Sequence, residues 1–188
     1  MRGVTRALIA VPHAFLKLSC AKLLNFKKTK FGRLPRIDHS TEITLQGETI
    51  IGNRFNMRRG SALRCREKGK LKIGNNVSFG MNNIIVCLDQ IEIGDDCEFG
   101  PNVCVFDHDH DYKNKNGLSS NQYKTAPIII GKNVWIGANT IILRGTKIGD
   151  NSVIAAGSII KGGYPNNSII IQKRETSVTG YSFNEDED

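Results

Sequence analysis

Between Ile130 and Ile160 the chain reads IGKNVWIGANTIILRGTKIGDNSVIAAGSII, and every sixth residue of it, Ile130, Ile136, Ile142, Ile148, Ile154 and Ile160, is isoleucine. The same stride continues upstream in groups of three: Ile93, Phe99 and Val105; Ile73, Phe79 and Ile85; Ile51, Met57 and Leu63. Fifteen positions in a row are apolar where the overall apolar content is 39%, an outcome chance would give only about once in a million for a fixed phase. Glycine follows the guide residue at Gly52, Gly74, Gly80, Gly94, Gly100, Gly131, Gly137 and Gly149. An inward aliphatic residue, a turn and a short flat segment every six residues describe a chain wound in three faces per coil around a narrow interior. Glycine is expected at these corners for the backbone angles it permits. The predicted fold is all-β: a triangular prism of hexapeptide repeats of about five coils.

The spacing between successive groups of three is 10, 8, 25 and 6 residues. Insertions in a solenoid map to its surface, at a corner, so the longest one, about 106–127, is a loop, and a loop of that length is usually functional. Upstream, Val4, Leu8, Val11, Phe15 and Leu18 fall at helical spacing with cations between them and a kink expected at Pro12. The chain thus divides into a basic amphipathic segment over 1–36, the repeat domain over 37–168, and an extension over 169–188 ending in the acidic Asn184–Asp188. Two readings of residues 1–30 stand side by side: a cap over the open end of the prism, or a helix on an anionic membrane surface.

Composition narrows the function. Of the 26 Lys and Arg residues, nine fall within residues 1–37, which contain no acid, and they leave the remainder at a net −1. The body is therefore not a nucleic-acid platform. Five cysteines without C-x-x-C spacing suggest neither a disulfide framework nor a zinc knuckle and point to a reducing cytosol. No uninterrupted apolar run is long enough to span a bilayer.

Three features taken together resemble the hexapeptide-repeat acyltransferases, particularly the sugar and capsular-polysaccharide O-acetyltransferases: Ile130-Gly-Lys-Asn-Val-Trp-Ile-Gly-Ala138, Ile148-Gly-Asp-Asn-Ser-Val-Ile-Ala-Ala-Gly-Ser158, and Asp107-His-Asp-His-Asp111 opening the long loop. The likeness covers about residues 73–168. It implies a left-handed parallel β-helix, a homotrimer with active sites in the clefts between neighbouring prisms, acetyl-CoA as co-substrate and no metal. The basic appendage points to a bacterial cell-surface polysaccharide pathway, with a cytoplasmic enzyme acting on lipid-linked sugars at the inner membrane. Where many relatives end in a Gly-Asn-Pro-Ala turn, this chain runs Ile169-Ile-Ile-Gln-Lys-Arg-Glu175, which leaves the coenzyme contacts at that end open.

Moving an acetyl group from a thioester to a hydroxyl needs a base that works near neutral pH, the range of histidine. The chain has four: His13, His39, His108 and His110. Counted from Pro101-Asn102-Val103, the catalytic histidine of the galactoside enzymes falls on His110, with Asp107, Asp109 and Asp111 as candidates to orient it and His108 in a structural or substrate-contacting role. Trp135, the single tryptophan, is a candidate oxyanion donor or cofactor contact. Gly137, Ala138, Ala156 and Gly157 offer the small side chains a pantetheine groove needs, and Lys161, Lys173 and Arg174 could meet its phosphates. Asn82 and Asn83 are candidates for the sugar. Competing readings are a xenobiotic acetyltransferase of the same fold, a γ-type carbonic anhydrase, for which a third histidine ligand is lacking nearby, and a non-catalytic β-helix scaffold.

Overall fold

The structure of the chain, a computed structural model, describes residues 2–24, 28–173 and 175–180, the side chains of residues 2–10, 22 and 24 excepted. Arg174, the acidic tail over 184–188 and the side chains of Val4 and Leu8 lie outside the described residues.

The body is a parallel β-solenoid. Three sheets of seven, seven and six strands form its faces, and the chain visits them in strict rotation. One circuit runs Lys70–Ile73 on the first face, Ser78–Phe79 on the second and Ile84–Cys87 on the third, before returning to the first at Gln90–Ile93. Each strand pairs in parallel with its counterpart one turn away: Ile73 with Ile93, Phe79 with Phe99, Ile85 with Val105. The inward residues are those of the six-residue stride, and Ile136, Ile142 and Ile154 are fully buried. Phe55, Phe79 and Phe99 stack edge to face inside the prism at 5.1 and 4.8 Å between centroids.

The stack is longer than the five coils marked by the guide residues. A turn precedes them, with strands Thr29–Phe31, Arg36–Ile37 and Glu42–Leu45, and strands Gly163–Tyr164 and Ile169–Ile170 begin a seventh. The first of these keeps the same stride, at Phe31, Ile37 and Ile43 with Gly32 after the first, and was overlooked; the last keeps it at Tyr164 and Ile170 but has Pro165 in place of the corner glycine.

The corner glycines also have a different cause from the one expected. Positive φ falls two residues after the glycine, at Asn76, Asn133 and Asn151, whereas Gly137 has no positive φ. A Cβ on Gly137 would lie 2.5 Å from the Ala156 nitrogen of the next turn. Close stacking of coils, not an unusual backbone angle, excludes a side chain there. Side-chain carbonyls supply the vertical ties between these corners: Asn53 N–H donates to Asn75 Oδ1 at 2.9 Å and Asn75 N–H to Asp95 Oδ1 at 2.7 Å.

Helix α1 (Arg2–Leu24) lies over the first turn. Ala14, Leu18 and Ala21, at i, i+4 and i+7, are buried in the same core as the prism. Lys17 Nζ donates to the carbonyls of His39 and Thr41 at 2.8 and 2.6 Å and to Thr41 Oγ1 at 3.0 Å, and burial lowers its pKa. The helix therefore closes the end of the stack. Leu16 and Leu23 remain exposed, and no helix among the described residues is long and apolar enough to cross a membrane.

Candidate active site

The insertion corner, where the third face returns to the first, carries the histidines. Strand Cys104–Phe106 delivers Asp107 into a fully buried position. Its carboxylate accepts the N–H of Leu88 at 2.9 and 3.0 Å and of Asp89 at 2.7 Å, and lies 3.0 Å from His108 Nδ1. Burial pushes its pKa up, but the contact with His108 and the two backbone N–H groups outweigh this and hold it below the usual carboxylate range. The Ala126 N–H donates to Asp107 O at 3.0 Å and closes the neck of the loop. The loop expected to be irregular contains an antiparallel hairpin, His108–His110 against Tyr123–Thr125, and a 3₁₀ turn at Gly117–Ser120.

His110 lies opposite Tyr123, with ring centroids 4.7 Å apart and planes tilted by 41°. Tyr123 also meets His108 edge-on at 5.4 Å. The carboxylates expected to orient His110 are all engaged elsewhere. Asp107 faces His108, Asp109 accepts from Arg144 Nε at 2.6 Å, and Asp111 pairs with Lys124 Nζ at 3.0 Å. The exposed ring of His110 makes no hydrogen bond with a described residue. Tyr123 and Arg144 were missed in the sequence; an aromatic closing a polar loop and a cation one turn above the acidic run were the available signals.

A cleft of about 820 Å³ opens beneath the hairpin, with Val86 and Leu88 against its floor, His108 and Tyr123 on its upper wall and Arg66 and Lys68 below. It exists because the corner at Leu88-Asp89 is only two residues long, while the corners on either side, 66–69 and 107–127, project.

The other predicted contacts occupy different edges. Ala138 and Ala156 stand at the corner between the second and third faces, with Ala156 exposed and Gly157 N–H donating to Ala138 O at 2.7 Å. Gly157 has φ +71°, so its identity follows from backbone conformation. Apolar columns flank this ridge: Trp135, Val153 and Ile169 point outward from the second face, and Ile84, Cys104, Ile141 and Ile159 from the third. Trp135 is 56% exposed and Ile159 50%. Lys161 sits at the insertion corner, not on the ridge, and Lys173 is exposed at the carboxyl end. Asn83 is fully buried, its N–H donating to Ser61 Oγ and its Oδ1 accepting from Val103 N–H at 2.8 Å. It cannot meet a sugar. Asn82 donates to Asn102 Oδ1 at 3.2 Å, and Asn102 in turn to Asn139; it is a rung of a corner ladder.

The described residues form a hexapeptide solenoid with a histidine hairpin at one corner and a small-residue ridge at another. A family profile described as the hexapeptide repeat of succinyl-transferase matches residues 127–161. Over 132 residues the chain is 28% identical to the putative lipopolysaccharide biosynthesis O-acetyl transferase WbbJ of Escherichia coli K12, covering 66% of this chain and 67% of that protein. Over 99 residues it is 38% identical to the galactoside O-acetyltransferase of the same organism, covering 53% and 48%. Among solved structures, the N-acyltransferase AntD from Bacillus cereus, in complex with dTDP and 3-hydroxybutyryl-CoA, superposes with a TM-score of 0.63 at 19% identity, over 79% of this chain and 81% of that one. The chain carries the hexapeptide repeat over residues 127–161 and is similar to these acyltransferases. It spans two thirds of the length of the first relative and about half that of the second.

Proposed function

We propose that the chain is an acetyl-CoA-dependent O-acetyltransferase that modifies a hydroxyl of a sugar in cell-surface glycan synthesis. The relatives named as O-acetyltransferases support the reaction, and the acyl-CoA bound by AntD supports the donor. The observation that carries the reading is the exposed imidazole of His110, stacked on Tyr123 without a hydrogen bond to a described residue, on a hairpin whose His108 and Tyr123 line an open cleft.

In this mechanism His110 takes the proton of the sugar hydroxyl as its oxygen bonds to the thioester carbonyl carbon. The resulting oxyanion is held by a donor such as the Trp135 indole N–H, a contribution of about 3 to 4 kcal/mol. Collapse breaks the C–S bond, and the imidazolium returns the proton to the departing thiolate. His108, tied through Nδ1 to buried Asp107, fixes the hairpin rather than moving protons. Ala138 and Ala156 let the donor's extended arm approach the backbone, with the Trp135–Val153–Ile169 column against its pantetheine.

Hairpin and ridge stand on different edges of one prism, so the site is completed by a neighbouring copy, and a homotrimer is the assembly we propose. The outward column Ile84–Cys104–Ile141–Ile159 supplies apolar surface for that contact. The exposed Leu16 and Leu23 of α1 support a peripheral contact with an anionic inner membrane. Equal, negligible cosedimentation with anionic vesicles by the whole chain and by one lacking residues 2–24 would remove that contact.

The test is transfer of labelled acetyl groups to a panel of sugars. His110→Ala is expected to lower kcat by about 10²- to 10⁴-fold with little change in acetyl-CoA binding. A second assignment, His108 as base, is favoured by its 3.0 Å contact with Asp107. If His108→Ala is the variant that loses transfer and His110→Ala keeps it, the roles are exchanged.

A further inference from the structure

Three cations of the solenoid are ion-paired with carboxylates, and most of the others, Arg54, Arg58, Arg59 and Lys72 among them, are not paired with a described residue. Arg64 pairs with Glu42 through two 2.7 Å contacts, Arg144 with Asp109 and Lys124 with Asp111. Lys28, Lys30, Arg66, Lys68 and Lys70 are not within ion-pair distance of any described residue. These five are gathered in one place. Arg66 and Lys68 line the cleft below His108, and Lys68 also lines an adjoining depression of about 430 Å³ with Lys28, Lys30 and Lys70. Glu67 and Glu48 are the acids there, so the trough carries five cations against two carboxylates.

The backbone accounts for this placement. The four-residue corner 66–69 closes with Gly69 N–H on Arg66 O at 2.7 Å, lifting two long cationic side chains out beside the short Leu88 corner. A recess with an excess of one charge focuses its field on what enters it. The guanidinium fork and the ammonium groups match phosphate oxygens, while a neutral sugar would leave those charges without partners.

We infer that the acceptor is a sugar carrying a phosphate or diphosphate, with its anion on Arg66 and Lys68 and its sugar reaching up past Tyr123 toward His110. The inference rests on the O-acetyltransferase reading for the direction of the sugar, but the anion site can be measured without turnover. Such an acceptor comes from one of two sources: a soluble nucleoside diphosphate sugar or a polyprenyl diphosphate sugar.

The experiment is calorimetric titration of the full chain, at low and at physiological salt, with methyl glucoside, glucose 1-phosphate, UDP-glucose and a short-chain polyprenyl diphosphoglucose in nonionic micelles. At low salt the phosphorylated probes are expected to bind about tenfold or more tightly than methyl glucoside, with the advantage shrinking as salt rises. The double variant Arg66→Gln/Lys68→Gln is expected to lose that preference. Stronger binding of the lipid-linked or of the nucleotide probe identifies the source. Equal binding of neutral and phosphorylated probes, or a preference unchanged in the double variant, overturns the inference. Acetyl transfer to neutral sugars without a charge preference would defeat the trough alone; charge-selective binding without transfer to any probe would defeat the enzymatic reading alone.

Discussion

Asp107 shows how a single buried carboxylate can tie the hairpin to the turn below it. It is buried, yet it receives two backbone N–H groups from the turn below and His108 from its own strand. Asp107→Asn keeps the shape but replaces one acceptor oxygen with a donor that would face the same N–H groups. The expected cost is about 1–3 kcal/mol, read as a lowered thermal midpoint. The pH dependence has a definite sign. A carboxylate whose pKa is lower in the folded than in the unfolded chain stabilises the fold above the unfolded value, about 3.9, and loses that contribution as pH falls through the folded value. The gap in stability between wild type and Asp107→Asn should be full at pH 7 and close on the acid side of pH 4; a gap unchanged down to pH 2 would show that the charge is not what matters. The acidic run at 107–111 was legible as a feature, but its pairings were not. They depend on Arg144 and Leu88, residues 35 and 19 positions away in the chain, which reach Asp109 and Asp107 only because whole turns stack.

The elements divide by how local their cause is. Strands on the six-residue stride were readable because each inward side chain repeats one contact with its neighbour a turn away. The hairpin His108–His110/Tyr123–Thr125 was not, since nothing in Asp-His-Asp-His alternates apolar with polar, and its pairing is held by the neck at Ala126 and Asp107. Helix α1 is intermediate: its helical spacing was visible, whereas the face it buries, Ala14–Leu18–Ala21, is decided by the open end of the prism. Its role can be tested at that contact. Leu18→Ala removes a fully buried side chain and is expected to cost about 2–5 kcal/mol, measured by denaturant unfolding. Leu16→Ala, on the exposed side, should cost less than about 0.5 kcal/mol. Equal effects at the two positions would mean that α1 does not seal the stack.

For the whole molecule, the decisive fact is that a narrow prism cannot enclose a site. Its interior is filled by one layer of side chains from each face, so chemistry has to be assembled on the edges, and the two equipped edges are separate. If one copy's hairpin works against another copy's ridge, two differently disabled chains should repair each other. His110→Ala removes the proposed base and leaves the ridge; Ala156→Trp, at an exposed ridge position, fills the proposed groove and leaves the hairpin. Each homotrimer should be inactive. In trimers reassembled from equal amounts of both, a junction works only when an intact hairpin meets an intact ridge, which random mixing in a cyclic assembly produces at about a quarter of the junctions. Recovery to about that fraction of wild-type transfer, against none in unmixed controls, is the expected result. Activity that stays absent after verified coassembly would place hairpin and ridge of one site on the same chain, and would require the loop to reach around the prism it grows from.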